Sequence, residues 1–270
     1  MTSLVEAYDL VIFDLDGVLY LIDRPISGAV DALAKLRAQG MPVRFATNNA
    51  SRRAGEVAAL LRGMGIDAQT DEVLTSAGAA AALLAQRLEP GSPVLVVGAA
   101  ALRAEVADAG LRLVDSAEDE PRAVVQGFGP DVGWAQLAEA CVAIRAGAWW
   151  VATNTDRTLP TLRGPVPGNG SLVAVLVSAL EREPDVVVGK PEPGLFATAA
   201  TQAGAHRALV VGDRLDTDIA GAHRAGMDSL LVLTGVSTAV EAAKASGQQR
   251  PTYVAADLGG LFTAPAVPAR

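Results

Sequence analysis

A single cysteine, Cys141, stands in 270 residues, so no disulfide can close within the chain. It sits in a helical stretch and is expected as a small buried group. A nucleophilic thiol would need an activating base, and His206 and His223 are the only histidines. Lysine is nearly as scarce: Lys35, Lys190 and Lys244 are the only three, so a lysine inside a motif carries weight. Aromatic residues make up 4%, which leaves Ala, Val and Leu to fill the core. Basic residues number 22 against 30 acidic ones, for a net charge of -8, and no basic run exceeds Arg52-Arg53. That excludes the basic face of a nucleic-acid binder. No apolar run approaches the roughly 20 residues of a membrane span. The N-terminus shows no basic stretch, apolar core and cleavage site in succession, and it enters an apparent strand by Val11. Gly98, after Val94–Val97, stands without the further glycines of a dinucleotide fingerprint and reads as a structural turn. A cytoplasmic protein without nucleic-acid or membrane partners is expected.

What the chain has is hydrophobic residue, 50% of it, arranged as short β-rich runs between Ala-rich stretches. Leu10–Phe13, Val43–Ala46, Val94–Val97, Ala123–Val125, Trp149–Ala152, Val186–Val188, Leu209–Val211 and Leu230–Leu233 read as strands. Ala29–Arg37, Arg53–Met64, Ala77–Ala85 and Leu172–Leu180 read as helices, the first two closed by Gly40 and Gly65. Continuous apolar strands alternating with helices predict α/β: a doubly wound, Rossmann-like parallel sheet covered on both faces. About nine strands is large for one sheet, so two α/β domains are expected. The Trp149-Trp150 pair is assigned to core, and the tail Ala264–Arg270 reads as frayed.

Four clusters carry chemistry. In Phe13-Asp14-Leu15-Asp16-Gly17, two carboxylates follow an apolar strand. Side chains alternate along extended chain, so both can face one way, and together they demand a cation or a proton. Ala46-Thr47-Asn48-Asn49 gathers hydroxyl, amide and backbone N–H groups at a strand end, an anion site; a capping role explains Asn49 or Ser51 alone but not four polar positions. Val188-Gly189-Lys190-Pro191 puts one of three lysines at a strand end. Gly212-Asp213-Arg214-Leu215-Asp216-Thr217-Asp218 ends another strand in three acids before a helix from about Ile219. Such oxygen ligands suit Mg²⁺. Asp216 is assigned to helix N-terminal charge; Asp213 is not.

In this order the four clusters resemble the haloacid dehalogenase superfamily, and Asp-Leu-Asp-Gly-Val, Thr-Asn-Asn and Gly-Asp-Arg-Leu-Asp-Thr-Asp-Ile resemble its nitrophenylphosphatase-like branch, subfamily IIA. The resemblance implies a large α/β cap inserted between the second and third clusters. The core is then 1–78 plus 185–270 and the cap 79–184, with joints near Gly78 and Pro184. It implies Asp14 as nucleophile, Asp16 as general acid and base, and Thr47, Asn48 and Asn49 as the phosphate-binding segment. Lys190 would stabilise charge. Mg²⁺ would be held by the Asp14 carboxylate, the Asp16 carbonyl and Asp213, with Asp218 behind them. Asp156 and Asn169, in cap segments like those of the branch, are candidates for substrate contact. The implied activity is a Mg²⁺-dependent phosphatase acting through an aspartyl phosphate on a small phosphorylated metabolite. Within the branch the nearest look is to actinobacterial hydrolases of glycerol 3-phosphate and nitrophenyl phosphate. Pyridoxal phosphate and nucleotide phosphatases, a phosphotransferase and a non-catalytic phosphate sensor are the alternatives, and a homodimer is left open.

Overall fold

Leu10–Phe13 is buried at all of its positions, and both its edges are filled by parallel neighbours. Val11 lies beside Leu209 of Ala208–Gly212 on one side and beside Val43 of Val43–Thr47 on the other. In this computed structural model, which describes residues 3–22 and 24–264, the sheet around that strand has six members. Their order is Tyr253–Ala255, Asp228–Val232, Ala208–Gly212, Leu10–Phe13, Val43–Thr47 and Val73–Thr75. The tail read as frayed lies outside the described residues beyond Ala264.

A second sheet of five strands runs in the order Val186–Val187, Trp149–Ala152, Ala123–Gln126, Pro93–Val97 and Arg112–Val114, parallel throughout. Alternation along Pro93–Val97 shows how both faces are covered. Val94 and Val96 pack with Ala77, Ala80, Ala81 and Leu84 of the helix Ser76–Arg87. Leu95 and Val97 pack with Leu137, Ala140 and Ile144 of Trp134–Arg145. Each strand residue therefore loses its apolar surface to a helix, at about 25 cal/mol per Å².

The chain divides into two compact units. One comprises 3–47, 55–74 and 190–264 of the described residues, and the other 48–54 and 75–189. These boundaries fall a few residues from the expected joints near Gly78 and Pro184. Gly78 lies in the first turn of Ser76–Arg87, where its N–H is capped by Thr75 Oγ1 at 3.1 Å. Val186–Val187, expected in the core, pairs with Val151 and Ala152 and so belongs to the second sheet. Its two-residue length gave no period from which to assign a partner.

The helices follow from spacing and punctuation. In Ala29–Ala38 the buried residues Ala29, Ala32, Leu33 and Leu36 recur at helical spacing. The helix begins after Gly28 and is followed by Gly40, both at positive φ that glycine adopts without strain. Trp150 is fully buried as assigned, whereas Trp149 is half-buried beneath the Arg87 guanidinium, 4.3 Å from its ring centroid. Cys141 is half-buried rather than buried, because it lies at the margin of the helix face that packs on Trp150. No helix of the described residues is long and apolar enough to cross a membrane.

Candidate active site

Three strands of the first unit end together in polar residues. Leu10–Phe13 runs into Asp14, Ala208–Gly212 into Asp213, and Val43–Thr47 closes on Thr47. The first strand has Val43–Thr47, the next in the sheet, on one side and Ala208–Gly212, from late in the chain, on the other. The connections therefore diverge, and diverging connections open a crevice at the carboxyl ends of parallel strands.

Lys190 is 3% exposed and organises the acids. Its Nζ donates to Asp14 Oδ1 at 2.5 Å, Asp218 Oδ1 at 2.8 Å and the Ala46 carbonyl at 3.2 Å. Asp218 Oδ2 accepts from the Arg214 N–H at 3.1 Å. Asp213 Oδ2 accepts from the Val236 N–H at 2.7 Å, while its Oδ1 is buried with no hydrogen-bond partner. Carboxylate oxygens of Asp14, Asp213 and Asp218 all lie within 4.8 Å of one another.

Glycines set this spacing. A Cβ on Gly212 would meet the Asp218 Cβ at 2.2 Å, and a Cβ on Gly17 or Gly235 would meet Asp213 Oδ2 at 2.5 or 2.0 Å. Gly17 also sits at φ +83°, closing the turn after Asp16. Following Arg214, a wide π-type turn, Leu215–Ile219, brings Asp218 back towards the strand end before the helix Ala220–Arg224 starts. Wide turns of this kind gather at functional sites because they re-aim one side chain without ending the helix.

The electrostatics are unbalanced. Burial pushes the Asp14 carboxyl well above its ordinary range; Lys190 opposes the shift, and Asp218 and Asp213 add to it. Burial works against the Lys190 ammonium, but Asp14 and Asp218 outweigh it and raise its pKa. Asp213 is pushed up to about 7, by burial first and by Asp218 next. Ionised together, three carboxylates against one ammonium would leave two negative charges, the charge of one divalent cation. The residues present therefore fit a Mg²⁺ ion: a hard oxygen set, a buried oxygen without a partner and an uncompensated charge of the right size.

Of the other residues singled out, Asp16 is half-buried and its carboxylate is outside that trio. The strand ends at Phe13, so the alternation that would pair the Asp14 and Asp16 side chains is not continued. Thr47 is 2% exposed. Asn49 Oδ1 accepts from both the N–H and the hydroxyl of Ser51, at 2.8 and 2.7 Å, an Asx-type turn. Asp216 is paired with Arg214 in the wide turn, through contacts of 3.0 and 2.8 Å.

Within the second unit, Asn48 Nδ2 donates to Asp156 Oδ2 at 3.0 Å. Asn169 is 2% exposed, and its amide donates to the carbonyls of Asn154 at 2.6 Å and Gln126 at 3.4 Å.

Sequence reasoning passed over the segment Thr234–Ser237. Besides the Val236 contact, Thr234 Oγ1 donates to the Gly17 carbonyl at 2.7 Å, and the Ser237 N–H donates to the Asp213 carbonyl at 3.0 Å. The available signal was the same one that marked the other clusters, a buried strand running into Thr-Gly.

A model of haloacid dehalogenase-like hydrolases matches residues 11–112, and a second model of the same hydrolase type matches 187–261. The chain is 51% identical to the D-glycerol 3-phosphate phosphatase of Mycobacterium tuberculosis, over 97% of its own length and 73% of the relative's. It superposes on the crystal structure of the glycerol phosphate phosphatase of that organism in complex with magnesium, with a TM-score of 0.92 over 97% of this chain and 79% of that one. The 4-nitrophenylphosphatase of Thermotoga maritima is 33% identical, with a TM-score of 0.88 over 96% of this chain and 97% of that one.

Proposed function

The chain belongs to the haloacid dehalogenase-like hydrolases and is a phosphatase of that family; from this premise we propose that it hydrolyses a small phosphomonoester, glycerol 3-phosphate first, through a phosphorylated Asp14. The observation that carries the reading is the buried Asp14 carboxylate. One of its oxygens is tied to Lys190, and it stands within 4.8 Å of Asp213 and Asp218 oxygens at a strand-end crevice.

Asp14, Asp213 and the Asp16 carbonyl would hold Mg²⁺, which when bound offsets carboxylate repulsion and polarises the phosphoryl group. The chain's own residues divide the rest of the work. Thr47 and Asn48 bind phosphate oxygens through hydroxyl, amide and backbone N–H groups. Lys190 opposes the burial that disfavours the Asp14 carboxylate and orients it through the contact with Oδ1. An Asp14 oxygen attacks phosphorus in line; the bond from phosphorus to the ester oxygen breaks, and Asp16 gives that oxygen a proton. Asp16 then takes a proton from water as the water oxygen attacks phosphorus. The bond to Asp14 breaks, releasing inorganic phosphate.

Those residues recognise the phosphoryl group alone, so discrimination among leaving groups is assigned to residues 79–184, as a substrate-selecting cap. The preference for glycerol 3-phosphate is supported by the 51% identity to a phosphatase of that substrate. The reading puts the enzyme in the cytoplasm, where such metabolites and Mg²⁺ are at hand.

The test is phosphate release with Mg²⁺ across a panel of glycerol 3-phosphate, sugar phosphates, pyridoxal 5′-phosphate, nucleoside monophosphates and nitrophenyl phosphate, ranked by kcat/KM. Glycerol 3-phosphate is expected to lead the natural compounds. A lead by pyridoxal or nucleotide phosphates would replace the substrate, and phosphate binding without turnover on any compound would overturn the enzymatic reading.

A further inference from the structure

Asn48 is 8% exposed and held at three points by residues of its own unit. Its carbonyl accepts from the Ser76 hydroxyl at 2.5 Å and from Asn154 Nδ2 at 2.7 Å. Its side-chain Nδ2 donates to Asp156 Oδ2 at 3.0 Å. The Asp156 N–H donates in turn to Asn154 Oδ1 at 3.2 Å, so Asn48, Asp156 and Asn154 close a ring of hydrogen bonds. Asn169, fully within the unit, fixes the Asn154 carbonyl at 2.6 Å. A carboxylate only accepts, so Asp156 selects the Nδ2 end of the Asn48 amide and determines which way it faces. The Oδ1 end then lies 2.6 Å from the position a Cβ on Gly189 would take, with the Thr153 carbonyl 2.5 Å from the same point. Gly189 directly precedes Lys190, as Thr47 directly precedes Asn48. The ring thus pins the residue after Thr47, and the amide it holds lies against Gly189.

We infer that Asp156, backed by Asn154 and Asn169, is a positioning residue that sets the Asn48 amide and the Thr47–Asn48 peptide for phosphate, rather than a contact for the leaving group. The inference rests on the phosphatase reading above. Asp156 acts through Asn48, so its loss weakens recognition of the phosphoryl group common to all substrates and leaves their ranking unchanged. Asparagine at 156 keeps an acceptor oxygen and preserves most of the effect, whereas alanine removes it.

The test measures the affinity of the intact chain for inorganic phosphate by calorimetry with Mg²⁺ present, and kcat/KM on glycerol 3-phosphate and nitrophenyl phosphate. Asp156→Ala is expected to weaken phosphate binding about tenfold, as loss of a charge-assisted hydrogen bond would, and to lower both kcat/KM values by the same factor. Asp156→Asn should recover to within about threefold of wild type, and in an Asn48→Ala background Asp156→Ala should change affinity less than about twofold. If Asp156→Ala does not fold, Gly189→Ala presses on the same amide from the other side and should give the same signature of weaker phosphate and unchanged ranking. Unchanged phosphate affinity in either variant, or unequal losses on the two substrates, overturns the inference. A wild-type chain that neither binds phosphate nor turns over any phosphomonoester refutes the phosphatase reading itself, and the inference falls with it.

Discussion

At the scale of the residue, Asp14 and Asp16 separate cleanly. Asp14→Asn is nearly isosteric, and Lys190 keeps its contacts with Asp218 and the Ala46 carbonyl. The variant should therefore fold with an unfolding midpoint within a few degrees of wild type. It should lose turnover by at least about a thousandfold, since an amide cannot form the acyl phosphate; turnover near wild type would remove Asp14 from the role. Asp16 is the half-buried member of the pair and its carboxylate stands apart from the buried trio. Asp16→Asn should spare phosphate and Mg²⁺ binding and slow alkyl phosphates more than nitrophenyl phosphate, because nitrophenolate departs with less proton assistance. Steady-state rates on the two substrate types measure this, and equal losses would assign Asp16 some other work.

At the scale of the element, the segment Thr234–Ser237 is the unexpected part of the site. Its backbone holds one oxygen of Asp213 and leaves the other for a cation. A methyl group on Gly235 would lie 2.0 Å from that held oxygen and must displace the carboxylate. Gly235→Ala should therefore keep the fold and weaken Mg²⁺ binding by about tenfold or more, read as a raised Mg²⁺ requirement for activity and by calorimetry. Elsewhere, Glu72 joins the helix Ala29–Ala38 to the segment that enters the edge strand Val73–Thr75, through two 2.6 Å contacts with Arg37. Burial alone would raise the pKa of Glu72; the Arg37 hydrogen bonds and the Gln69 N–H outweigh it, and the net shift is downward. A carboxylate held below its unfolded value stabilises the protein above that value, about 4.3, and loses the contribution as pH falls through the lowered one. Glu72→Gln should cost about 1–3 kcal/mol at neutral pH. In urea unfolding at successive pH values its deficit should shrink below about pH 4, and a deficit constant with pH would show the effect to be packing alone.

At the scale of the whole molecule, the folded chain carries a buried charge imbalance that the unfolded chain does not, so a divalent cation is coupled to folding. Mg²⁺ at a hundredfold over its dissociation constant should stabilise the protein by about 2.7 kcal/mol, seen as a rise in thermal midpoint that Asp213→Asn abolishes. Chelation should abolish activity and Mg²⁺ restore it. Ca²⁺ should support less turnover, because its longer bonds and higher coordination number draw in both Asp14 oxygens and misalign attack. Full activity after exhaustive chelation would refute the metal assignment.

The α/β class, the central strands and the carboxylate clusters were legible in the sequence because they rest on local signals. Fully buried parallel strands read as unbroken apolar runs, and each cluster follows one directly, as Asp14 follows Leu10–Phe13 and Asp213 follows Ala208–Gly212. Arg112–Val114, with only Val114 buried, and Tyr253–Ala255, partly exposed throughout, were missed because three-residue strands at sheet edges carry little periodicity. The assignment of Val186–Val187 to the second sheet depends on a partner some 35 residues earlier in the chain, which no local pattern encodes. The same limit applies to the site. Sequence order named Asp14, Lys190, Asp213 and Asp218. Only the tertiary structure decided that Lys190 divides its protons between Asp14 and Asp218, that the Val236 N–H leaves one Asp213 oxygen without a partner, and that Asp156 and Asn154 grip Asn48. Residue type and local pattern fix which groups are available, whereas hydrogen bonds between positions far apart in the chain exist only once the sheets have set their register.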